Sequence, residues 1–272
     1  MEPIRAENDS GLTLITLNDS AGGNTLTPQR LTALARALTG AVNDNSVRVI
    51  LLRSDGPVFC TGMSLADAGA AQHGRLEIEN TISLYCNCLS TIYTAPKPVV
   101  CCITGDVKAG GVGLAGACDI VIASPNATFQ LSEIFLGMIP ANVIPFLYSV
   151  RLAPQTVRYL VLTGKKLTAL DALRIQLVNE VFPAETLERD LKALLQGLFR
   201  ASPAAMARAK QFTGMLLGEK MAPSIELAKK SFLEMMQDPE ITGAISDFNN
   251  GYSPPWFSRF SPQNPLLCKG AL

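Results

Sequence analysis

The sequence predicts an α/β protein whose C-terminal part is helical, and two observations support this fold class. In the first half of the chain, apolar runs of strand length alternate with segments of helical periodicity. Beyond Ile134 the helical segments follow one another almost without interruption. A chain of 272 residues, of which 48% are apolar, is long enough to bury a sizeable core in this arrangement.

The first predicted elements follow from residue alternation and helix capping. Leu12–Leu17 alternates apolar residues with Thr, which predicts a strand. A turn-rich link leads to the pair Thr27-Pro28, which caps and starts a helix that runs to about Ala41. Val47–Leu52 is a continuous apolar run, typical of a strand that is covered on both faces.

The middle of the chain again alternates apolar runs of strand length with a segment of helical periodicity. A loop, Ser54–Asp67, precedes a helix of about Arg75–Tyr93 that stops before two nearby prolines. Val99–Thr104 predicts the next strand, a Gly-rich stretch follows at Gly105–Gly116, and Asp119–Ala123 predicts a further strand.

Helical periodicity dominates the remainder of the chain. Roughly the last 30 residues, which include Pro254-Pro255-Trp256-Phe257, predict an extended tail that docks on another surface. The predicted helices of this part are Val143–Leu152, Thr156–Thr163, Ala169–Leu177, Glu185–Arg200, Pro203–Leu217 and Ala222–Met236.

Charge and composition exclude several classes of protein. The 23 Lys and Arg residues balance 23 Asp and Glu residues, so no basic surplus is available to neutralise a nucleic acid. High hydrophobicity with zero net charge also argues against disorder. Only 17% of residues are charged, against about 25% in an average domain, so we expect apolar surface to be buried between subunits.

The sequence also indicates the compartment. Charged residues open the chain without the apolar core of a signal peptide, and no apolar stretch approaches the ~20 residues of a membrane helix. The seven cysteines include no C-x-x-C pair and fit reduced thiols used as small hydrophobes. The one histidine, His73, lacks metal-ligand spacing. We therefore expect a cytoplasmic protein without a membrane segment, a metal site or a cofactor.

A literal G-x-G-x-x-G occurs at Gly111, Gly113 and Gly116, with Glu133 placed 20 residues after Gly113. A dinucleotide-binding unit needs at least about 10–12 residues of crossover before the next parallel strand. Here the next predicted strand opens at Asp119, so the motif does not indicate a dinucleotide site.

Two Gly-rich segments instead offer backbone N–H groups to a ligand. Lys108–Cys118 predicts a short helix that begins near Gly110, where free N–H groups and the helix dipole favour negative charge. Phe59–Leu65 is a loop that follows an apolar strand. Two N–H groups that converge on one oxygen would form an oxyanion hole, although each segment alone also fits a tight turn.

Glu133 is the candidate for proton transfer. It is a lone carboxylate in an apolar segment, and burial would raise its pKa and suit it to acid–base work near neutral pH. The structural alternative is a glutamate that stabilises a helix N-terminus. Ser64 only approaches the G-x-S-x-G motif, and its sole imidazole partner, His73, lies in a polar loop, so nucleophilic catalysis is not favoured.

Four ordered segments carry a family resemblance that covers nearly the whole chain. The segments Phe59–Leu65, Gly105–Ile120, Ser132–Pro140 and Ala169–Val181 resemble those of the crotonase (enoyl-CoA hydratase/isomerase) superfamily. The resemblance implies a ββα superhelical core over residues 1–200 and a helical C-terminal trimerisation segment over residues 201–272. It also implies a homotrimer or hexamer, and acyl-thioester substrates whose enolate oxygen is held by two backbone N–H groups.

Residue by residue, the resemblance places the two amide donors at Met63 and Gly110 and the catalytic carboxylate at Glu133. It implies substrate-binding positions at Cys60, Thr61, Gly62, Ser64 and Gly111, and Asn142 is a candidate for orienting a substrate hydroxyl, although its place between two prolines also fits a turn.

Two departures narrow the expected chemistry. Hydratases of the family carry a first glutamate where this chain has Gly113, which disfavours the familiar fatty-acid hydratases. The basic stretch that often meets coenzyme A is absent after Phe248, which leaves room for a carrier-protein-bound acyl chain.

Val107–Leu114 and Gln130–Leu147 are most similar to one subgroup, the dehydratases of polyketide β-branching (HMG-synthase) cassettes. These enzymes convert 3-hydroxy-3-methylglutaryl-acyl carrier protein to 3-methylglutaconyl-acyl carrier protein. The sequence leaves a Δ3–Δ2 enoyl thioester isomerase, a glutaconyl thioester decarboxylase and an inactive crotonase-fold scaffold open. For an acidic carrier protein, the candidate contacts are Lys165-Lys166 and Lys229-Lys230.

Overall fold

The computed structural model describes residues 2–63, 75–217 and 221–257. Its strands are β1 (Ile4–Asp9), β2 (Leu12–Leu17), β3 (Val49–Ser54), β4 (Val58–Cys60), β5 (Val99–Ile103), β6 (Asp106–Lys108), β7 (Ile120–Ala123), β8 (Thr128–Gln130), β9 (Leu167–Thr168) and β10 (Glu180–Val181).

The α-helices are α1 (Pro28–Asn43), α2 (Arg75–Thr94), α3 (Gly110–Ala117), α4 (Ile144–Val150), α5 (Pro154–Thr163), α6 (Ala169–Arg174), α7 (Leu187–Arg200), α8 (Pro203–Leu217), α9 (Met221–Met235) and α10 (Pro239–Asn249). Short 3₁₀ helices span Ser20–Gly22 and Glu133–Leu136. Among the described helices, none has the length and hydropathy needed to cross a bilayer.

Two sheets organise the chain into a spiral. The larger sheet has the order β1-β2-β3-β5-β7-β10 and is parallel except for the β1–β2 pair. The smaller sheet has the order β4-β6-β8-β9, in which β4, β6 and β8 are parallel. The chain passes from β3 to β4, from β5 to β6 and from β7 to β8, so each turn adds one strand to each sheet. The predicted ββα spiral with a helical C-terminal region is confirmed.

The central strands carry continuous apolar runs, residues 49–52 in β3 and Val99–Ile103 in β5, because both faces of the larger sheet are covered. One face, with Ile50 and Leu52, packs into the main core beneath α1 and α2. The other face, with Val49 and Leu51, packs against α7. Each fully buried aliphatic side chain contributes about 1.5–3 kcal/mol to the free energy of folding, which stabilises the strands between the two layers.

The predicted start of α1 is also confirmed. Thr27 caps the helix by accepting a hydrogen bond from the Arg30 N–H, and Pro28 occupies its first turn. The helix buries one apolar face, formed by Leu31, Leu34, Leu38 and Ala41.

The expectation of an extended C-terminal tail is wrong at its beginning, because α10 occupies Pro239–Asn249. Asp238 caps this helix by accepting a hydrogen bond from the Glu240 N–H, and Pro239 is placed at its start. Ala244 and Ile245 give it a buried face. The sequence interpretation missed this cap and also missed β1, β10 and the smaller sheet.

Candidate active site

Three loops meet where the neighbouring parallel strands β4, β6 and β8 end. Thr61–Met63 follows β4, Ala109-Gly110 follows β6, and Leu131–Glu133 follows β8. Parallel strands in register, with Val107 opposite Phe129 and Lys108 opposite Gln130, deliver their carboxyl ends to one edge of the sheet. This edge borders a cavity of about 100 Å³.

The cavity lining is mostly apolar. Glu133 is its only ionisable carboxylate among the described residues, and no described Lys or Arg lines it. The lining residues are Thr61, Met63, Tyr85, Ala109, Gly110, Ser132, Glu133, Leu136, Met138, Ile139, Pro140, Ala141, Asn142, Val143 and Phe232.

One side of the cavity, termed here the oxyanion wall, consists of Met63 and the start of α3 at Gly110. A Cβ atom added to Gly62 would lie 2.9 Å from the Gly110 nitrogen, so the two segments are in direct contact. The Leu26 N–H donates to the Gly62 carbonyl at 2.8 Å and anchors the first segment. Among the described residues, the N–H groups of Met63 and Gly110 donate to no acceptor, which leaves them available to a ligand oxygen.

Backbone strain at Ala109 accompanies this geometry. Ala109 precedes α3 with φ +47° and ψ −121°, values that a residue with a side chain adopts at a cost of about 1–3 kcal/mol. The Ala109 N–H donates to the Gln130 carbonyl at 2.9 Å, which ties the turn to β8. The turn places Gly110, the first residue of α3, in the cavity lining, where the helix dipole favours negative charge.

Three positions expected to bind substrate lie behind the lining instead of in it: Cys60, Gly62 and Gly111. Cys60 points into the core, where burial raises the pKa of its thiol to about 12 and keeps the thiol neutral. The Gly62 N–H donates to the Cys60 sulfur at 3.4 Å. A Cβ at Gly111 would lie 2.6 Å from the Cys60 carbonyl oxygen, so glycine is required there for packing. These residues shape the wall, whereas Thr61 and Asn142 line the cavity itself.

The opposite side, termed the Glu133 turn, comprises residues 132–138. A 3₁₀ helix starts at Glu133 and ends at Gly137, which has φ +75° and donates its N–H to the carbonyls of Glu133 and Ile134. A side chain at Gly137 would meet the ring of Trp256, since an added Cβ would lie 2.7 Å from it. The Trp256 indole N–H in turn donates to the Phe135 carbonyl at 3.1 Å.

Glu133 is held in an environment that favours its neutral form. Burial raises the pKa of its carboxyl from 4.5 to about 7, and a hydrogen bond from its own backbone N–H offsets this only in part. Its Oε2 atom is enclosed and has no hydrogen-bond partner among the described residues. A buried acceptor without a partner is costly to folding, which is typical of a group kept for a ligand or a proton.

Asn142 lies in the same cavity and is buried. Its Oδ1 accepts a weak hydrogen bond from the Cys86 thiol at 3.4 Å, which leaves the amide N–H groups to serve as donors. Ser64 and His73 lie outside the described residues.

Sequence reasoning missed two residues at this site, Tyr85 and Trp256. Tyr85 lies on α2 among core residues of helical spacing, and Trp256 lies in a segment with no recognisable periodicity. Tyr85 carries no local signal, and the predicted docking of the C-terminal tail does not indicate that Trp256 reaches this site. The dinucleotide interpretation was correctly rejected, because α3 ends at Ala117 and β7 begins at Ile120.

Comparisons with known proteins agree with the fold. The family model for enoyl-CoA hydratase/isomerase matches residues 7–259. The 2,3-dehydroadipyl-CoA hydratase of Escherichia coli is 29% identical over 78% of this chain and 81% of its own length. The peroxisomal enoyl-CoA delta isomerase 3 of Mus musculus is 28% identical over 90% of this chain and 77% of its own length. A Bacillus subtilis structure assigned as a polyketide biosynthesis enoyl-CoA hydratase (pksH) superposes with a TM-score of 0.83. It is 25% identical and covers 93% of this chain and 99% of that one.

The spiral of two sheets followed by a helical C-terminal region defines the class of crotonase-fold proteins. Within that class, the chain belongs to the enoyl-CoA hydratase/isomerase family. A hydratase and an isomerase match it at nearly equal identity, so membership alone leaves the reaction open.

Proposed function

We propose that this protein is a dehydratase of 3-hydroxyacyl thioesters, and that its substrate is 3-hydroxy-3-methylglutaryl-acyl carrier protein. The observation that carries the proposal is that Glu133, the one carboxylate among the described lining residues, shares an apolar cavity with Met63 and Gly110. The N–H groups of Met63 and Gly110 donate to no acceptor among the described residues. The resemblance to β-branching dehydratases supports this substrate.

The proposed reaction divides between the two sides of the cavity. The N–H groups of Met63 and Gly110 hold the thioester carbonyl oxygen and stabilise the negative charge that develops on it. Glu133 accepts the α-proton as the enolate forms. The same carboxyl then gives that proton to the 3-hydroxyl, the C3–O bond breaks, a C2–C3 double bond forms, and water leaves.

The pKa of Glu133 suits both halves of this reaction. A carboxyl with a pKa of about 7 is partly ionised at neutral pH, so it can accept the α-proton and still release it to a hydroxyl. A tertiary 3-hydroxyl departs more easily than a secondary one, so one carboxyl is sufficient for this substrate.

Polar groups in the cavity favour dehydration over the alternatives. An isomerase also works with one carboxylate, but it has no substrate hydroxyl to hold, whereas this cavity presents the Asn142 amide and the Tyr85 hydroxyl. Asn142 is proposed to donate to the 3-hydroxyl oxygen. A decarboxylase does not need a base, and an inactive scaffold has no need for an enclosed carboxyl at Glu133 whose Oε2 lacks a partner among the described residues.

The test is mass spectrometry of a carrier protein loaded with 3-hydroxy-3-methylglutaryl. Loss of the mass of water is expected with the wild-type protein, and Glu133→Gln should reduce the rate about 10²–10⁴-fold without unfolding, because the amide is nearly isosteric but cannot take a proton. Dehydration by Glu133→Gln at a comparable rate would contradict the assignment. Loss of the mass of carbon dioxide from the glutaconyl form would indicate the decarboxylase instead.

The terminal carboxylate of this substrate is expected at the mouth of the cavity. No described lining residue is cationic, and Glu133 repels a second negative charge. Comparison with a neutral 3-hydroxy-3-methylbutyryl thioester tests this placement, because the two substrates should then differ mainly in KM.

The carrier protein is proposed to dock beside the groove between α2 and α9. Lys229 lies in the part of this groove that also contains Cys86, whose thiol reaches Asn142, while Lys230 borders the adjoining part. Both lysines are paired, Lys229 with Glu226 and Lys230 with Glu234. Each pair has an exposed glutamate, and surface pairs of this kind are weak enough to exchange partners. Lys165 and Lys166 lie elsewhere, on the loop before β9, and Lys166 contacts Asp106 at 3.5 Å.

Docking is tested by reversing these charges. Lys229→Glu with Lys230→Glu should raise KM for the carrier-bound substrate while leaving KM for a pantetheine thioester unchanged. Equal effects on both substrates would contradict this docking surface.

The proposed assembly is a homotrimer or hexamer formed through residues 201–272. Helices α8 and α9 expose Phe212, Met215, Leu216 and Leu227, each between 61% and 71% accessible in the single chain. Exposed apolar groups of this size are typical of an interface. Native mass spectrometry would show a monomer if this proposal is wrong.

A further inference from the structure

The hydroxyl of Tyr85 is a polar group that the proposed proton transfer does not yet use. Tyr85 lies on α2 and is only 2% exposed, yet it contributes to the lining of the cavity that contains Glu133. Its hydroxyl donates to the Gly110 carbonyl at 2.7 Å. The phenol is therefore fixed in position at the first residue of α3, beside one of the two amide donors.

The hydrogen-bonding capacity of this hydroxyl is half used. A phenol has one proton to donate and lone pairs to accept. The hydroxyl proton is engaged in the hydrogen bond to the Gly110 carbonyl. Among the described residues, no group donates a hydrogen bond to the hydroxyl oxygen. The oxygen can therefore accept a hydrogen bond from a group inside the cavity.

The fold reserves space for this oxygen. A Cβ atom added to Gly113 would lie 2.1 Å from the Tyr85 hydroxyl oxygen, and one added to Gly110 would lie 3.3 Å from it. A side chain at position 113 would thus displace the hydroxyl, so glycine there keeps the phenol in the cavity wall. Burial raises the pKa of Tyr85, and the nearby carboxyl of Glu133 adds to this, so the phenol stays neutral and does not act as a base.

We propose that Tyr85 is a catalytic residue that accepts a hydrogen bond from the 3-hydroxyl of the substrate and holds that hydroxyl for protonation by Glu133. The inference rests on the proposed function, because an isomerase or decarboxylase substrate has no such hydroxyl. In the step itself, the proton on Glu133 moves to the hydroxyl oxygen and the C3–O electron pair leaves with that oxygen. The resulting water molecule is bound to Tyr85 through the hydrogen that the hydroxyl already carried.

The experiment separates hydroxyl positioning from general damage to the site. Tyr85→Phe and wild type are compared in two assays with pantetheine thioesters. One assay follows dehydration of the 3-hydroxy-3-methylglutaryl thioester. The other follows exchange of the α-proton into deuterated water on the 3-methylglutaryl thioester, which lacks the hydroxyl but still needs Glu133 and the oxyanion wall.

The expected result is that Tyr85→Phe lowers the dehydration rate about 10- to 100-fold, the loss typical of a hydrogen bond to a group that gains charge, and leaves the exchange rate unchanged. Gly113→Ala should lower dehydration in the same way by displacing the hydroxyl. Tyr93→Phe removes a hydroxyl from the same helix outside the cavity lining, and it should match wild type in both assays.

Two results would overturn the role of Tyr85. Equal losses in both assays would show that Tyr85 acts only by supporting Gly110, and full dehydration by Tyr85→Phe would show that the hydroxyl is not held by it. Failure of the proposed function looks different, because the wild-type protein would then exchange the α-proton without dehydrating the 3-hydroxy substrate.

Discussion

The two sides of the cavity are held in place by different parts of the molecule. The oxyanion wall belongs to the core: every residue of α3 is buried, and Arg151 donates to the Gly116 and Cys118 carbonyls at the far end of this helix. The Glu133 turn is more exposed: Phe135 is 39% accessible, as is Ile139 directly after the turn. The turn is covered from outside by α10 and Trp256.

This difference separates two requirements of the proposed chemistry. Stabilising a developing negative charge depends on donors that do not move, and donors built into the core meet that need. Proton transfer depends on the pKa of one carboxyl, which burial raises. We expect the C-terminal segment to contribute to this burial, because Trp256 contacts the turn at Phe135 and Gly137. Substitutions in the oxyanion wall should therefore lower the rate by weakening charge stabilisation, whereas substitutions at the Glu133 turn should change the pH dependence of the rate.

The largest effect is expected from changing the oxyanion wall at Gly62. This residue has φ +89°, and a Cβ added to it would lie 2.7 Å from the Ala109 Cβ and 2.9 Å from the Gly110 nitrogen. Gly62→Ala should push the two amide donors apart and lower kcat/KM about 10²–10³-fold, the usual cost of losing an oxyanion donor. The kcat/KM for dehydration and the rate of α-proton exchange should decrease together, since both reactions need the oxyanion wall.

The matched control is Gly40→Ala in α1, where an added Cβ meets nothing within 4 Å. It should retain full activity and gain up to about 1 kcal/mol in unfolding free energy, because alanine favours a helix more than glycine does. Full activity of Gly62→Ala would show that the oxyanion wall tolerates a change at its contact point.

An intermediate effect is expected from loosening the Glu133 turn at Trp256. Trp256→Ala removes the ring that packs on Gly137 and the hydrogen bond to Phe135. We expect kcat to fall about 10-fold with little change in KM, the pattern for an interaction that matters mainly in the transition state. Water that reaches Glu133 should lower its pKa, so the acid limb of the pH profile should move to lower pH.

Trp256→Phe retains an aromatic ring without the N–H donor. Its kcat and the position of its acid limb should lie between those of wild type and Trp256→Ala. A pH profile of Trp256→Ala identical to that of wild type would contradict the view that the C-terminal segment sets the pKa of Glu133.

The smallest effect concerns stability at the Glu133 turn. The pKa of Glu133 is raised in the folded protein, so the stability linked to its protonation is fully present below the unfolded pKa and is lost as pH rises through about 7. Glu133→Gln carries no charge to bury. It should be more stable than wild type by up to about 2 kcal/mol above roughly pH 8, with little difference near pH 4, which lies below the unfolded pKa.

Urea unfolding at the two pH values measures this difference. The same stability difference at both pH values would mean that the Glu133 charge is not what destabilises the turn.

Sequence patterns predicted the candidate site only where the signal is local. The glycines around Gly110 and the lone carboxylate of Glu133 stand out within their own segments, and the structure places both residues at one cavity. Tyr85 gave no signal because a buried tyrosine on an apolar helix face is indistinguishable from a core residue. Its proposed role depends on Gly113, a residue on another element that leaves space for its hydroxyl.

The C-terminal segment illustrates the same limit. The cap at Asp238 and Pro239 was present in the sequence, but the prolines after it suggested an extended chain, and α10 was missed. Trp256 was expected to dock somewhere, yet only the structure shows that it covers the Glu133 turn.

The sequence by itself determined the alternation of strands and helices, the capped start of α1 and the doubly covered central strands, because capping and hydrophobic periodicity act between neighbouring residues. The tertiary structure alone decided that β4, β6 and β8 form a second sheet. Each has only three residues, too few to show a period, and each is stabilised by hydrogen bonds to strands distant in sequence. That sheet brings Met63, Gly110 and Glu133 to one edge, so the candidate site depends on contacts that no local pattern encodes.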